Sequence, residues 1–125
     1  MVKVNQELLF LYWQIGGLIL EKQKNANRGD KILEQLAQDL KKAFPNMKGF
    51  SRSNLAYMRQ FAETYPSFEI VQAPLGQISW YHNITLLQKC ENEKERLFYA
   101  QKAIDNGRSR NVMVLQIESK LFERQ

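Results

Sequence analysis

Apolar residues recur every three or four positions along almost the whole chain, and that spacing confines it to helices. No run alternates apolar and polar residues between turn signals, as a half-buried strand would. Pro45, Pro66 and Pro74 fall between the periodic segments, where proline disfavours a helical residue before it. A first helix is expected from about Val4 to Lys24, ended by the turn-forming run Asn25-Ala26-Asn27-Arg28-Gly29. Asp30 is placed to cap a second, with Ile32, Leu33, Leu36, Ala37, Leu40 and Phe44 on one stripe. Ser51 caps a third, whose inward residues Leu55, Met58, Phe61, Ala62 and Tyr65 run up to Pro66. After a loop of about twelve residues, Ser79 caps a fourth helix from Trp80 to about Cys90. Asn92 and Glu95 form a capping box for a fifth, closed by Gly107 after Asn106. The segment from Ser109 to about Glu123 reads as a sixth helix, although Val112-Met113-Val114-Leu115 also suits a short buried strand. The expected fold is all-α: about six helices in one compact domain spanning residues 1–125, with helix-turn-helix-like pairs.

Composition narrows the function classes. A length of 125 residues is enough for one domain with a core of its own, and 44% hydrophobic with 25% charged residues suits a folded chain. A net charge of +5 permits an anionic partner without requiring one. Cys90 is the single cysteine, so no intramolecular disulfide forms, and with His82 it cannot complete a four-ligand zinc site. A reducing, cytoplasmic setting fits. The apolar stretch Leu8–Leu20 is broken by Gln14 and Gly16-Gly17 and falls short of the roughly 20 residues of a spanning helix, so no membrane partner is expected. No signal peptide is expected either, since Glu7 precedes that stretch.

Charge distribution says more than net charge. No acidic residue lies between Asp39 and Glu63, while Lys41, Lys42, Lys48, Arg52 and Arg59 all do. The interval holds a short turn and then Ser51-Arg52-Ser53-Asn54, a polar and basic opening to the third helix. At 100° per residue, Arg52, Ala56, Arg59, Gln60 and Glu63 lie opposite the apolar stripe, with Ser53 at the edge. Long cationic and amide side chains separated by small residues suit a helix entering a major groove, where Arg reads guanine and Gln reads adenine. Backbone N–H groups at the Ser51 end favour phosphate. Lys48, Ser51, Arg52, Ser53, Asn54, Arg59 and Gln60 are therefore candidate nucleic-acid contacts. The same residues would equally make an ordinary solvated face.

A second candidate lies at Ala103-Ile104-Asp105-Asn106-Gly107-Arg108-Ser109-Arg110-Asn111-Val112-Met113. Ala, Gly four later and an apolar residue six after that follow the helix-turn-helix rhythm: Ala lets two helices approach, Gly takes the left-handed turn and Met113 packs between. Asn106 stands where that motif normally has an apolar residue, and a purely structural turn fits as well. Gly49-Phe50-Ser51-Arg52 and Gly107-Arg108-Ser109-Arg110 echo each other, which adds Arg108, Arg110 and Asn111 to the candidate contacts. No catalytic constellation is found. His82, in Ser79-Trp80-Tyr81-His82, suits a capping or core-edge role; Trp80 and Tyr81 could stack bases but more often such a pair packs inward; Glu118-Ser119-Lys120 matches a nuclease-type E-x-K by chance; Cys90 is structural. No enzyme activity, cofactor or metal is expected. The first helix is apolar on nearly every side from Leu8 to Leu20, and Gly16-Gly17 would admit another backbone, which points to a homodimer through this helix or to a central helix in a monomer.

Long blocks of the chain resemble the N-terminal domain of the bacterial YhcG family: Asn5-Gln6-Glu7-Leu8, Tyr12-Trp13-Gln14-Ile15-Gly16, and Phe44 through Phe61. Ser79-Trp80-Tyr81-His82, Ala103 through Val112 and Gln116-Ile117-Glu118-Ser119 extend the resemblance over nearly the whole chain. Where relatives commonly carry a tryptophan near the Gly29 loop, Asp30-Lys31 stand here. The resemblance implies a helical domain that precedes a nuclease domain of the PDDEXK superfamily, the metal-binding residues belonging to that second domain. The expected function is a non-catalytic DNA-binding module that positions the nuclease; the alternative is an oligomerisation or protein-docking module of the same protein.

Overall fold

The computed structural model describes residues 2–24, 29–107 and 109–124, and the side chains of all of these except 2–4 and 29–30. The described residues are helical throughout their regular structure, with no strand among them. α1 spans Val2–Lys24, α2 Gly29–Ala43, α3 Arg52–Thr64, α4 Phe68–Gln72, α5 Trp80–Lys89, α6 Glu93–Asn106 and α7 Arg110–Glu118. One-turn 3₁₀ segments lie at Leu75–Gln77 and Phe122–Arg124. By internal packing the chain divides into two units, Leu11–Pro66 and Met1–Phe10 with Ser67–Gln125.

In the first unit, the residues of α1 from Leu11 onward lie with α2 and α3. Gly16 permits the close approach of α1 and α3: a Cβ there would lie 2.0 Å from the Met58 carbonyl oxygen. The approach that its sequence offered to another backbone is thus made inside the chain, while a Cβ on Gly17 would meet nothing within 4 Å. Trp13 Nε1 donates to the Tyr65 carbonyl at 2.7 Å, satisfying an acceptor at the end of α3 that Pro66 leaves without a helical partner. Leu55, Met58, Phe61 and Ala62 are buried as the third helix's stripe requires, and Leu33 and Ala37 do the same for α2. Phe44, expected as the last member of that stripe, instead falls beyond the end of α2 and is half-exposed. α2 already runs from Gly29, one residue ahead of the expected cap Asp30, and the loop residues 25–28 lie outside the described residues.

In the second unit, the presumed long loop is partly ordered into α4 and a 3₁₀ turn, which at five and three residues are too short for periodicity to reveal. Asn5 holds that turn, its Nδ2 donating to the carbonyls of Gly76 at 2.8 Å and Ile78 at 2.6 Å. Gln6 Nε2 donates to the Gln72 carbonyl at 3.2 Å. The expected caps form at Ser79, whose Oγ accepts from His82 N, and at Asn92, whose Oδ1 accepts from Glu95 N. The Glu95 carboxylate, however, accepts from Glu91 N at a long 3.5 Å and so does not complete the capping box. Ser109, expected as the first residue of the last helix, caps it instead, its Oγ accepting from Val112 N. Gly107 closes α6 in the left-handed region at φ 59°, its N–H turned back to Ala103 and Ile104. Ala103 and Met113 are both buried, so the α6–α7 pair has the steric pattern of a helix-turn-helix. The last helix is shorter than expected. It stops at Glu118 because Lys120 turns left-handed at φ 59° and Phe122 is drawn aside, donating its N–H to Tyr99 Oη at 3.0 Å and stacking edgewise on Phe98.

Candidate nucleic-acid interface

The start of α3 is fixed by two local hydrogen bonds and one glycine conformation. Ser51 Oγ accepts from Asn54 N at 3.2 Å, closing the first turn. Asn54 Nδ2 donates to the Gly49 carbonyl at 2.7 Å and so ties the helix to the turn before it. Gly49 sits at φ 100°, where side chains are strained, and a Cβ there would come within 2.8 Å of Tyr12 Oη. The residue order Gly-Phe-Ser-Arg-Ser-Asn therefore builds a rigid entry. Phe50 is buried as its anchor.

Around this entry the cationic and amide side chains lie at the surface. Lys41, Lys42, Lys48, Arg52, Ser53 and Gln60 are exposed, and Arg59 is half-buried. Arg52 Nε stands 3.7 Å from Glu34 Oε1, both side chains being more than half exposed, a pairing worth about 0–1 kcal/mol. Arg59 Nη1 donates to Gln23 Oε1 at a long 3.5 Å. Such contacts orient the two arginines while leaving the helix entry basic. Ser51 and Asn54 are committed chiefly to shaping that entry, Ser51 as cap and Asn54 as tie to Gly49.

The second group of candidates belongs to the other unit. Arg110 is exposed, and its Nε donates to Thr85 Oγ1 at 2.8 Å. Thr85 is fully buried and its hydroxyl in turn donates to the Tyr81 carbonyl at 2.9 Å, so both its hydrogen-bonding functions are used. This buried hydroxyl fixes where the guanidinium of Arg110 emerges. Asn111 is exposed beside it in the first turn of α7, and Arg108 lies outside the described residues. The aromatic pair divides: Trp80 packs inward while Tyr81 is 70% exposed. Sequence reasoning had no signal for Thr85, since only the packing of α7 against α5 brings it to Arg110. Glu34 and Gln23 were missed for the same reason.

The remaining reactive groups are tied into the fold. Ser79 Oγ and His82 Nδ1 lie 2.6 Å apart, coupling the only histidine to the cap of α5. Burial, with Glu95 nearby, pushes the Cys90 thiol up to about 11, which keeps it protonated and unreactive at neutral pH. Among the described residues no three His, Cys, Asp or Glu side chains are grouped to hold a metal ion, and no helix is long and apolar enough to cross a membrane. A family model, the DUF1016 N-terminal domain, matches residues 1–124. No curated protein and no solved structure matches the chain.

Proposed function

The chain belongs to the DUF1016 N-terminal domain family, the N-terminal domain of the YhcG-like proteins, and we propose that it is a DNA-binding module. Its role is to grip the DNA backbone and position an attached nuclease domain. The observation that carries this reading is the entry to α3, a capped helix start with Lys48, Arg52 and Ser53 exposed and one weakly paired carboxylate, Glu34, beside Arg52, followed along the helix by Arg59 and Gln60. Phosphate would meet the exposed lysines and Arg52 together with the partial positive charge of the helix start. Gln60 and Arg59, farther along the outward face, would reach base edges. On the second unit, Arg110, aimed by Thr85, is a candidate contact of its own.

A docking role is the second reading, and one observation favours it. On α1, Leu18 is 56% exposed next to Gly17, whose surroundings are open, so a small apolar face remains for a partner helix. Such a partner would pack against Gly17 and Leu18, since Gly16 is already covered by α3.

Fluorescence anisotropy with a labelled random-sequence duplex separates the two. Engagement of about five phosphates predicts a log–log salt slope near −4.5, at roughly −0.9 per contact. No binding at low salt, together with a dimer in light scattering that Leu18→Glu dissociates, would replace the DNA reading with the docking one.

A further inference from the structure

The turn between α2 and α3 carries two apolar side chains that the fold leaves uncovered. Phe44 is 49% exposed and Met47 43% exposed. They are not on a loose loop. Phe44 N donates to the Leu40 carbonyl at 2.9 Å and Met47 N to the Phe44 carbonyl at 3.1 Å. The Phe44 ring lies 6.2 Å from the ring of buried Phe50, and the Asn54 bond to Gly49 fixes the far end of the turn. The result is an ordered tip holding an aromatic and a thioether outward.

What surrounds the tip identifies what would cover it. Lys41 and Lys42 end α2 just before Phe44, Lys48 follows Met47, and all three are exposed. No acidic residue stands between 40 and 62, so the occupant is a polyanion that also offers apolar faces. Bases freed from a duplex stack meet both conditions: aromatic and Met side chains stack on or wedge between them while lysines hold the phosphates. A bilayer fits less well, because two side chains supply too little buried apolar area for stable anchoring.

We infer that the Phe44–Met47 tip is a wedge for unstacked bases, so that the preferred ligand is DNA with a single-stranded interruption rather than a continuous duplex. This rests on the DNA-binding reading above and specifies its ligand class. Phe44 makes the stacking contact, Met47 fills the step beside it, and Lys41, Lys42 and Lys48 neutralise the flanking phosphates.

The test measures anisotropy of the chain with an intact duplex and with the same duplex carrying a short single-stranded gap, alongside sedimentation with phosphatidylserine-containing vesicles. The expected result is binding to the gapped duplex about tenfold tighter. Phe44→Ala with Met47→Ala should erase that preference and leave intact-duplex affinity unchanged, whereas Phe44→Trp should retain it. If the double variant melts early, Met47→Gln, at an exposed position, replaces it with a smaller expected loss of preference. Equal affinity for gapped and intact DNA, or a preference that the tip variants leave untouched, overturns the inference while the DNA-binding reading stands. Tip-dependent vesicle binding without a gap preference overturns it in favour of a membrane surface. Failure to bind either DNA overturns both.

Discussion

Gly49-Phe50-Ser51-Arg52 and Gly107-Arg108-Ser109-Arg110 begin two helices in the same way and end in different chemistry. In both, the glycine has positive φ, at 100° and 59°, and the serine caps the helix, accepting at 3.2 and 3.3 Å. The backbone consequences of the shared pattern are therefore alike. The arginines differ. Arg52 reaches an exposed carboxylate at 3.7 Å, whereas Arg110 is held at 2.8 Å by a hydroxyl with no solvent exposure. Local sequence dictates the cap and the turn; the neighbour that happens to pack alongside decides whether the cation is loosely steered or firmly aimed.

The two glycines give the largest expected contrast. Gly49→Ala meets both a strained φ and Tyr12 Oη at 2.8 Å, while Gly107→Ala meets only the strained φ, with nothing within 4 Å. Chemical denaturation should show a loss of about 3 kcal/mol for the first and about 1 kcal/mol for the second. Equal losses would mean that Tyr12 yields freely and the α3 entry is less rigid than described.

The arginine partners come next. Thr85→Val removes a buried hydroxyl with two hydrogen bonds and should cost about 1–2 kcal/mol. Glu34→Gln should change stability by less than about 0.5 kcal/mol. Its expected effect is on DNA instead: with the carboxylate neutralised, Arg52 should bind phosphate more tightly, seen as a raised affinity at low salt. A Glu34→Gln protein that unfolds early, or binds DNA more weakly, would break the contrast between steered and aimed cations.

Ser51→Ala and Ser109→Ala sharpen the part that the two starts share. Each should lose about 1 kcal/mol, and by similar amounts, because the two caps have the same geometry.

The same division explains what the sequence revealed. The caps at Ser51, Ser79 and Asn92 and the stop at Gly107 were legible because each is decided within about four residues. So was the buried stripe of α3, whose Leu55, Met58 and Phe61 repeat at helical spacing. Phe44 was misread because its position continues the α2 stripe, but the helix ends at Ala43, one residue before it. Gly16 was recognised as a site of close approach, and only the fold could assign Met58 to it. Thr85, Glu34 and Gln23 are separated from their arginines by 25, 18 and 36 positions, beyond any local pattern.

The DNA-binding reading places the grip at the entry and outward face of α3. Its most direct test is the salt slope of duplex binding for the unaltered chain and for Arg52→Gln with Arg59→Gln, each with its melting curve. On this reading the double variant should keep its melting temperature within a few degrees while its slope shrinks by about 1, for the phosphate contact of Arg52, and its duplex affinity falls further with the base contact of Arg59. An unchanged slope and affinity in a folded double variant would contradict it.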